Sequence, residues 1–334
     1  GKHPLPNPPP DRGRGSGPRL AGFAMTIGGI DIVLLIASMM VAATPILLAA
    51  LGELVAEKAG VLNLGVEGMM IMGAIAGFAA AVASGSPVIG FVAAAMAGAV
   101  MALLFAVLTQ ALLSNQVATG LALTLFGLGL SALLGQGYQG IAPPSTGKVP
   151  FGPLADLPVL GPIVFRHDWV VYLSLILVVA VWAFLKHSRA GLVLRAVGES
   201  HDAAHALGYR VVRVRTLALM FGGALAGLGG AYLSLVRVPQ WAEGMTAGAG
   251  WIALAIVVFA SWRAGRVLLG AYLFGGITVL QLRLQAAEIA IPVQVLSMAP
   301  YLITILVLVI MSSQRHRAAL SAPASLGRVF HAST

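Results

Sequence analysis

The chain has 334 residues and no cysteine, so disulfides and thiolate metal centres are excluded. Charge is scarce as well: Asp, Glu, Lys and Arg make up 9% of the residues, against about a quarter in soluble domains. A water-facing surface cannot be built from so few charges. Segments of about ten residues alternating apolar with polar, the mark of a membrane β-barrel, are missing too. What the chain has instead is 59% hydrophobic residues, gathered into continuous runs of Leu, Ala, Val and Gly. About 20 such residues cross a hydrocarbon core of roughly 30 Å. The fold class is therefore all-α, a polytopic membrane helix bundle. The net charge of +9 would suit a nucleic-acid partner, but basic residues flanking membrane spans give the same total, and no nucleic acid is expected.

Hydropathy and helix breakers place spans near 29–51, 59–83, 88–112, 116–138, 169–185, 216–236, 249–262, 267–285 and 294–311, about nine transmembrane helices. Residues 1–24 are rich in Pro and Gly with Arg12, Arg14 and Arg19, and read as a disordered tail. Met25, just before the first span, raises the expectation that this tail is an upstream extension. Residues 25–314 form the membrane domain and 315–334 a cytoplasmic tail. The stretch 141–168 holds Pro143, Pro144, Pro150, Pro153, Pro158 and Pro162 and reads as an external loop. Lys186, Arg189, Arg195, Arg210, Arg213 and Arg215 in 186–215, Arg263 with Arg266, and Arg315, Arg317 and Arg328 assign those regions to the cytoplasm. Alternation then puts the N-terminus outside, against the charge of its tail.

Two stretches carry candidate function. In the first, Asn63 and Glu67 interrupt an apolar window beside Gly65 and Gly68. A carboxylate at a helix centre costs about 2.5 to 3.5 kcal/mol on insertion scales and faces protein or a water-filled path; the glycines permit a broken helix. The pair is either a translocation-path element or an interhelical hydrogen-bond pair. The second is the connection 187–215, where Glu199–Leu207 can make about two helical turns between breaks at Gly198 and Gly208. It is either a short amphipathic helix that docks on a soluble partner or an ordinary basic loop. Asn115, Gln116 and Thr119 open one span, and Gln281, Arg283 and Gln285 close another; such groups meet the interface or line a path. Trp241 and Trp251 fit an aromatic belt. Gly73 with Gly77 and Gly223 with Gly227 have the spacing of close helix contacts. His201 and His205 lie four apart without a third ligand, and read as a solvated face. Gly140 to Val149 is no P-loop, since six residues separate Gly140 from Gly147 and Val149 stands where Ser or Thr is needed.

RAGLVLRAVGESHDAAHALGYRVVRVRTLALMFGGALAGLGGAYL, beginning at Arg189, resembles the coupling segment in ABC transporter permeases of the branched-chain amino acid and ribose type. ELVAEKAGVLNLGVEGMMIMGA from Glu53, GWIALAIVVFASW from Gly250 and LLGAYLFGGITVLQLRLQ from Leu268 resemble the nucleoside and simple-sugar branch of that superfamily. The likeness covers about 29–312. It departs at Arg263–Val267, where relatives have an Asn-Pro or Gly-containing turn.

The resemblance implies a type II-like importer permease of the bacterial cytoplasmic membrane, importing a nucleoside or simple sugar by alternating access. ATP and Mg would be used by a separate ATP-binding subunit, with no cofactor on this chain. A second permease chain, a different paralogue, and an extracytoplasmic solute-binding lipoprotein would complete the assembly. Glu199, His201 and Asp202 would supply polar contacts to the ATPase, Ala203, Ala204 and Leu207 a docking surface, and Gly208 its end. Asn63, Glu67, Asn115, Thr119 and Gln281 are the candidate path residues. The rival is an ion- or proton-coupled secondary transporter using Glu67. A membrane enzyme would need clustered acids, bases or ligands, and the sequence offers none.

Overall fold

The computed structural model describes residues 26–27, 30–286, 292–312 and 322–331. The tail 1–24, Met25, and residues 315–321 and 332–334 of the C-terminal tail lie outside the described residues. After a two-residue hairpin, Thr26–Ile27 with Ile30–Asp31, the helices are α1 (Ile32–Lys58), α2 (Val66–Ser84), α3 (Pro87–Ala106), α4 (Gln116–Gly135), α5 (Trp169–His187), α6 (Arg189–Glu199), α7 (His201–Ala206), α8 (Val211–Tyr232), α9 (Ala249–Phe259), α10 (Ala264–Ala286) and α11 (Val293–Ser312). The π-helical turns Val107–Ala111 and Leu233–Arg237 extend α3 and α8.

Local chemistry sets the ends. Pro87 opens α3 in the first turn, where its missing N–H costs nothing. Asn115 caps α4 by accepting from Ala118 N at 3.0 Å, and Asp168 caps α5 by accepting from Val170 N and Val171 N. The other Asp168 oxygen accepts from the Tyr232 hydroxyl at 2.8 Å, tying α5 to α8.

Among the described residues, seven helices are long and apolar enough to cross a membrane: α1, α2, α3, α4, α5, α8 and α10, with the π turns included. Two of the expected spans differ in extent from the helices observed. Residues 249–262 give only the eleven-residue α9, about 16 Å at 1.5 Å per residue, half of a bilayer core. Ser261 and Trp262 end it by taking left-handed φ values of 50° and 54°. The span expected from residue 59 starts at Val66, because 59–65 is a loop folded back beside α1. The segment expected at 294–311 is α11, twenty residues packed on α10.

α8 is the centre of the bundle, against α1, α2 and α3. The contacts are backbone on backbone: a Cβ added at Gly73 would strike Gly227, one at Gly98 would strike Gly223, and one at Gly52 would strike Gly222. Both spaced glycine pairs noted in the sequence thus contribute to close approach.

The two ends of the bundle differ in charge. The end of α1, the start of α8, α6, α7 and the α9–α10 turn come together at one end, with Lys58, Lys186, Arg189, Arg195, Arg210, Arg213, Arg215, Arg263 and Arg266. Residues 322–331 return to the same end: Gly327 N donates to Gly60 O at 3.2 Å and Ser325 N to Gly198 O at 3.0 Å. The opposite end holds the proline-rich loop, with Lys148 and Arg166. Within that loop lie the short turns Gly152–Asp156 and Gly161–Phe165.

Candidate functional site

The loop 59–65 is held by side chains that replace its missing helical partners. Asn63 N and Nδ2 both donate to the Glu53 carboxylate at 3.3 Å, and Asn63 Oδ1 accepts from Gly65 N at 3.1 Å. The loop ends at Gly65, and Glu67 sits in the first turn of α2, where its negative charge complements the helix dipole. Its side chain also serves a second helix. Glu67 Oε1 accepts from Thr246 Oγ1 at 2.6 Å and from Gly248 N at 2.9 Å, and Oε2 accepts from Gly250 N at 2.7 Å. These are the amides at the open N-terminus of α9, which has no capping side chain of its own. One buried carboxylate therefore joins the start of α2 to the start of α9 and satisfies the open amides of α9. Trp251 Nε1 donates to Leu64 O at 3.3 Å and fastens α9 to the same loop.

Beside the N-terminus of α9 lies a cavity of about 950 Å³ between α1, the π turn after α8, α10 and α11. Among the described residues its polar lining is Ser38, Arg237, Thr246, Thr278, Gln281 and Tyr301, and the other described lining residues are apolar. This size falls in the range of small-molecule sites, about 300–1,000 Å³. Hydroxyl, amide and guanidinium groups on an apolar wall suit a hydroxylated solute.

Of the candidate path residues, Gln281 lines this cavity. Glu67 touches it through Thr246, which donates to the carboxylate and also lines the wall. Asn63 is buried against Glu53 instead. Asn115 is the cap of α4, and Thr119 shares a hydrogen bond with Ser114 at 2.8 Å, away from the cavity. Gln116 Oε1 accepts from Leu62 N. Sequence reasoning missed Thr246, Thr278 and Arg237. Thr246 sits between Gly244 and Gly248, and that pair of chain breakers in the sequence was the available signal. Trp241 is buried over Gly135 and leaves the aromatic belt; Trp251 stays partly exposed.

At the basic end, the break in the 187–215 connection falls at Ser200, not Gly198. Gly198 belongs to α6, while Ser200 caps α7 by accepting from Ala203 N. Gly208 does break the chain, at φ 87°. α7 has two faces. Asp202, Ala203 and Leu207 are exposed, Leu207 at 77%, whereas His201 and Ala204 are buried. Glu199 is exposed at the end of α6 and accepts from Ala324 N at 3.4 Å.

Behind the buried face is Arg215, with no exposed surface. It donates to Ala59 O at 3.2 Å, to Arg328 O at 3.0 Å, to His201 Nδ1 at 3.3 Å and to Ser325 Oγ at 3.4 Å. Phe330 meets the rings of His201 and His205 edge to face and packs with Val197, Ala204 and Val211. Burial, and then the Arg215 charge, lower the His201 pKa below its ordinary 6.5, with Asp202 opposing.

A family model described as the permease component of the branched-chain amino acid transport system matches residues 35–311. A putative glucose ABC transporter permease of Haloferax volcanii is 44% identical over 289 residues, 80% of this chain and 88% of that protein. A guanosine ABC transporter permease of Bacillus subtilis is 32% identical, covering 84% of this chain and 93% of its own length. A nucleoside ABC transporter permease of Lactococcus lactis is 30% identical, covering 82% and 91%. No solved structure matches the chain. The match runs from α1 to α11 and takes in the Glu67 clamp and Arg215, and the chain belongs to the family of branched-chain amino acid transport system permease components.

Proposed function

We propose that the chain is the membrane-spanning subunit of an ATP-driven importer for a simple sugar or nucleoside, moving it across the cytoplasmic membrane by alternating access. The observation that carries this reading is the cavity of about 950 Å³ in a chain whose relatives are named for glucose, guanosine and nucleosides. Ser38, Arg237, Thr246, Thr278 and Gln281 are its solute-facing groups. Glu67 and Asn63 act from behind, holding the two broken helices in place. The excess of Lys and Arg turns the basic end to the cytoplasm. There the exposed face of α7, with Asp202, Ala203 and Leu207, docks on an ATP-binding subunit that uses ATP and Mg. Glu199 and Gly208 border that face, and His201 and Ala204 seat it from beneath. A second permease chain and an external solute-binding lipoprotein complete the machine. For the proton-coupled alternative, Glu67 would have to release its three donors at each turnover, and nothing in the site favours that.

The test is uptake of labelled glucose and guanosine by the assembled transporter in vesicles, with and without internal ATP. One solute should accumulate only with ATP. Gln281→Ala should raise its KM roughly tenfold, the loss of one or two hydrogen bonds. Asp202→Lys or Ala203→Trp should leave the protein inserted but abolish solute-stimulated ATP turnover. Accumulation without nucleotide, or undiminished stimulation in both α7 variants, would sink the reading.

A further inference from the structure

A separate cavity of about 690 Å³ opens at the basic end, between the end of α5, α6, the end of α1 and the α9–α10 turn. Lys58, Lys186, Arg195, Arg263 and Arg266 line it together with Trp182 and Trp262. Two carboxylates are near. Glu57 is buried with one oxygen on the Trp262 indole N–H, and Glu199 interacts with Lys58 across the end of α6. Five cations thus face two acids, and both acids act on Lys58. Arg195 Nε is buried without a hydrogen-bond partner. Arg266 lies in the first turn of α10, a turn with no acidic residue, so its charge adds to the positive end of the helix dipole. The turn itself is strained, with Ser261 and Trp262 in left-handed conformation. It presents the two arginines that distinguish this connection in the sequence.

Trp182, which lines the cavity, also ends an exposed apolar stripe on α5. Ile176, Val179 and Trp182 of α5 are 63%, 62% and 46% exposed at helical spacing. The stripe leads down to Lys186, whose Nζ lies 5.3 Å from the centre of the Trp182 ring. An apolar stripe ending in a tryptophan and a nest of cations is the profile of a phospholipid: chains above, interface ring, phosphate below.

We propose that this cavity seats the headgroup of an anionic phospholipid from the adjacent leaflet. Its phosphate lies among Arg195, Arg263 and Arg266, and its acyl chains lie along Ile176, Val179 and Trp182. The planar guanidinium groups match phosphate oxygens in pairs, and the anion relieves the crowding of cations on the α10 terminus. Because the site joins α6 to the turn after α9, its occupant ties the α7 connection to the cavity-bordering half-helix.

The experiment is native mass spectrometry of the full chain in detergent, titrated with phosphatidylglycerol and phosphatidylcholine of identical chains. The wild type should retain phosphatidylglycerol in preference. Arg263→Gln and Lys186→Gln should each cut that preference about fivefold, the worth of one cation at a membrane surface, while Arg263→Lys keeps most of it. Thermal melting of each variant separates loss of the site from loss of fold, and Lys186→Gln changes only a helix end. Equal retention of the two lipids, or a preference untouched in a folded Arg263→Gln, overturns the proposal. Displacement of phosphatidylglycerol by millimolar inorganic phosphate would assign the site to a soluble anion and overturn it also. So would loss of the lipid on adding the ATP-binding subunit, which would make the surface a protein contact.

Discussion

Glu67 and Arg215 are both buried charges that hold a broken backbone together, yet they do so in opposite ways. Glu67, in the first turn of α2, collects N–H groups at the start of α9, deep in the bundle. Arg215 collects carbonyls at the end of α1 and in the C-terminal segment, at the basic end. Each has the sign that a broken helix end calls for, an anion at exposed amides and a cation at exposed carbonyls. The clamps differ in what they border. Glu67 backs the wall of the large cavity, whereas Arg215 underlies the face of α7. In both clamps a buried charge stands where backbone would otherwise go unpaired.

Three experiments test that contrast, the largest effect first. Glu67→Ala should leave the Gly248 and Gly250 amides and the Thr246 hydroxyl without their acceptor, costing on the order of 3 kcal/mol and abolishing transport. Thermal melting and uptake check it, and a variant with wild-type melting would show that the clamp is not structural. Arg215→Met should cost about 2 kcal/mol, one orphaned carbonyl at each of Ala59 and Arg328. Its signature is local: hydrogen exchange should rise in 322–331 and in α7 while the cavity helices keep their protection. Uniform loosening would erase the distinction between the two clamps. The smallest effect is on pH. Unfolded His201 gains its proton near pH 6.5, and folded His201 only at lower pH. Its contribution is complete above about pH 6.5 and declines as acidification passes down to the folded value. Protection of 322–331 should fall over that window in the wild type and lose the dependence in His201→Gln.

Much of the frame was legible in the sequence because hydropathy reads length and the chain breaks carry glycine and proline. Glu67 stood out as a carboxylate in an apolar window, and Gly208 as the end of the α7 segment. Other features were hidden for physical reasons. Residues 249–262 are as apolar as a full span, and hydropathy says nothing of depth, so the early stop of α9 at Phe259 was invisible. Asn115 and Thr119 looked like Gln281, since a polar side chain near a span end has the same sequence signature as a cap or a wall group; only packing separates them. Arg215 read as one more basic flank. Its role rests on Ser325, Arg328 and Phe330, more than a hundred residues away, and no local pattern announces such a contact.

The glycine contacts of α8 have a mechanical consequence. With Gly222, Gly223 and Gly227 against Gly52, Gly98 and Gly73, the four central helices have no intervening layer of rotamers to absorb small displacements. A small slide along any of these seams drives backbone toward backbone. Close backbone contact at these seams favours movement of the quartet as a unit over sliding within it.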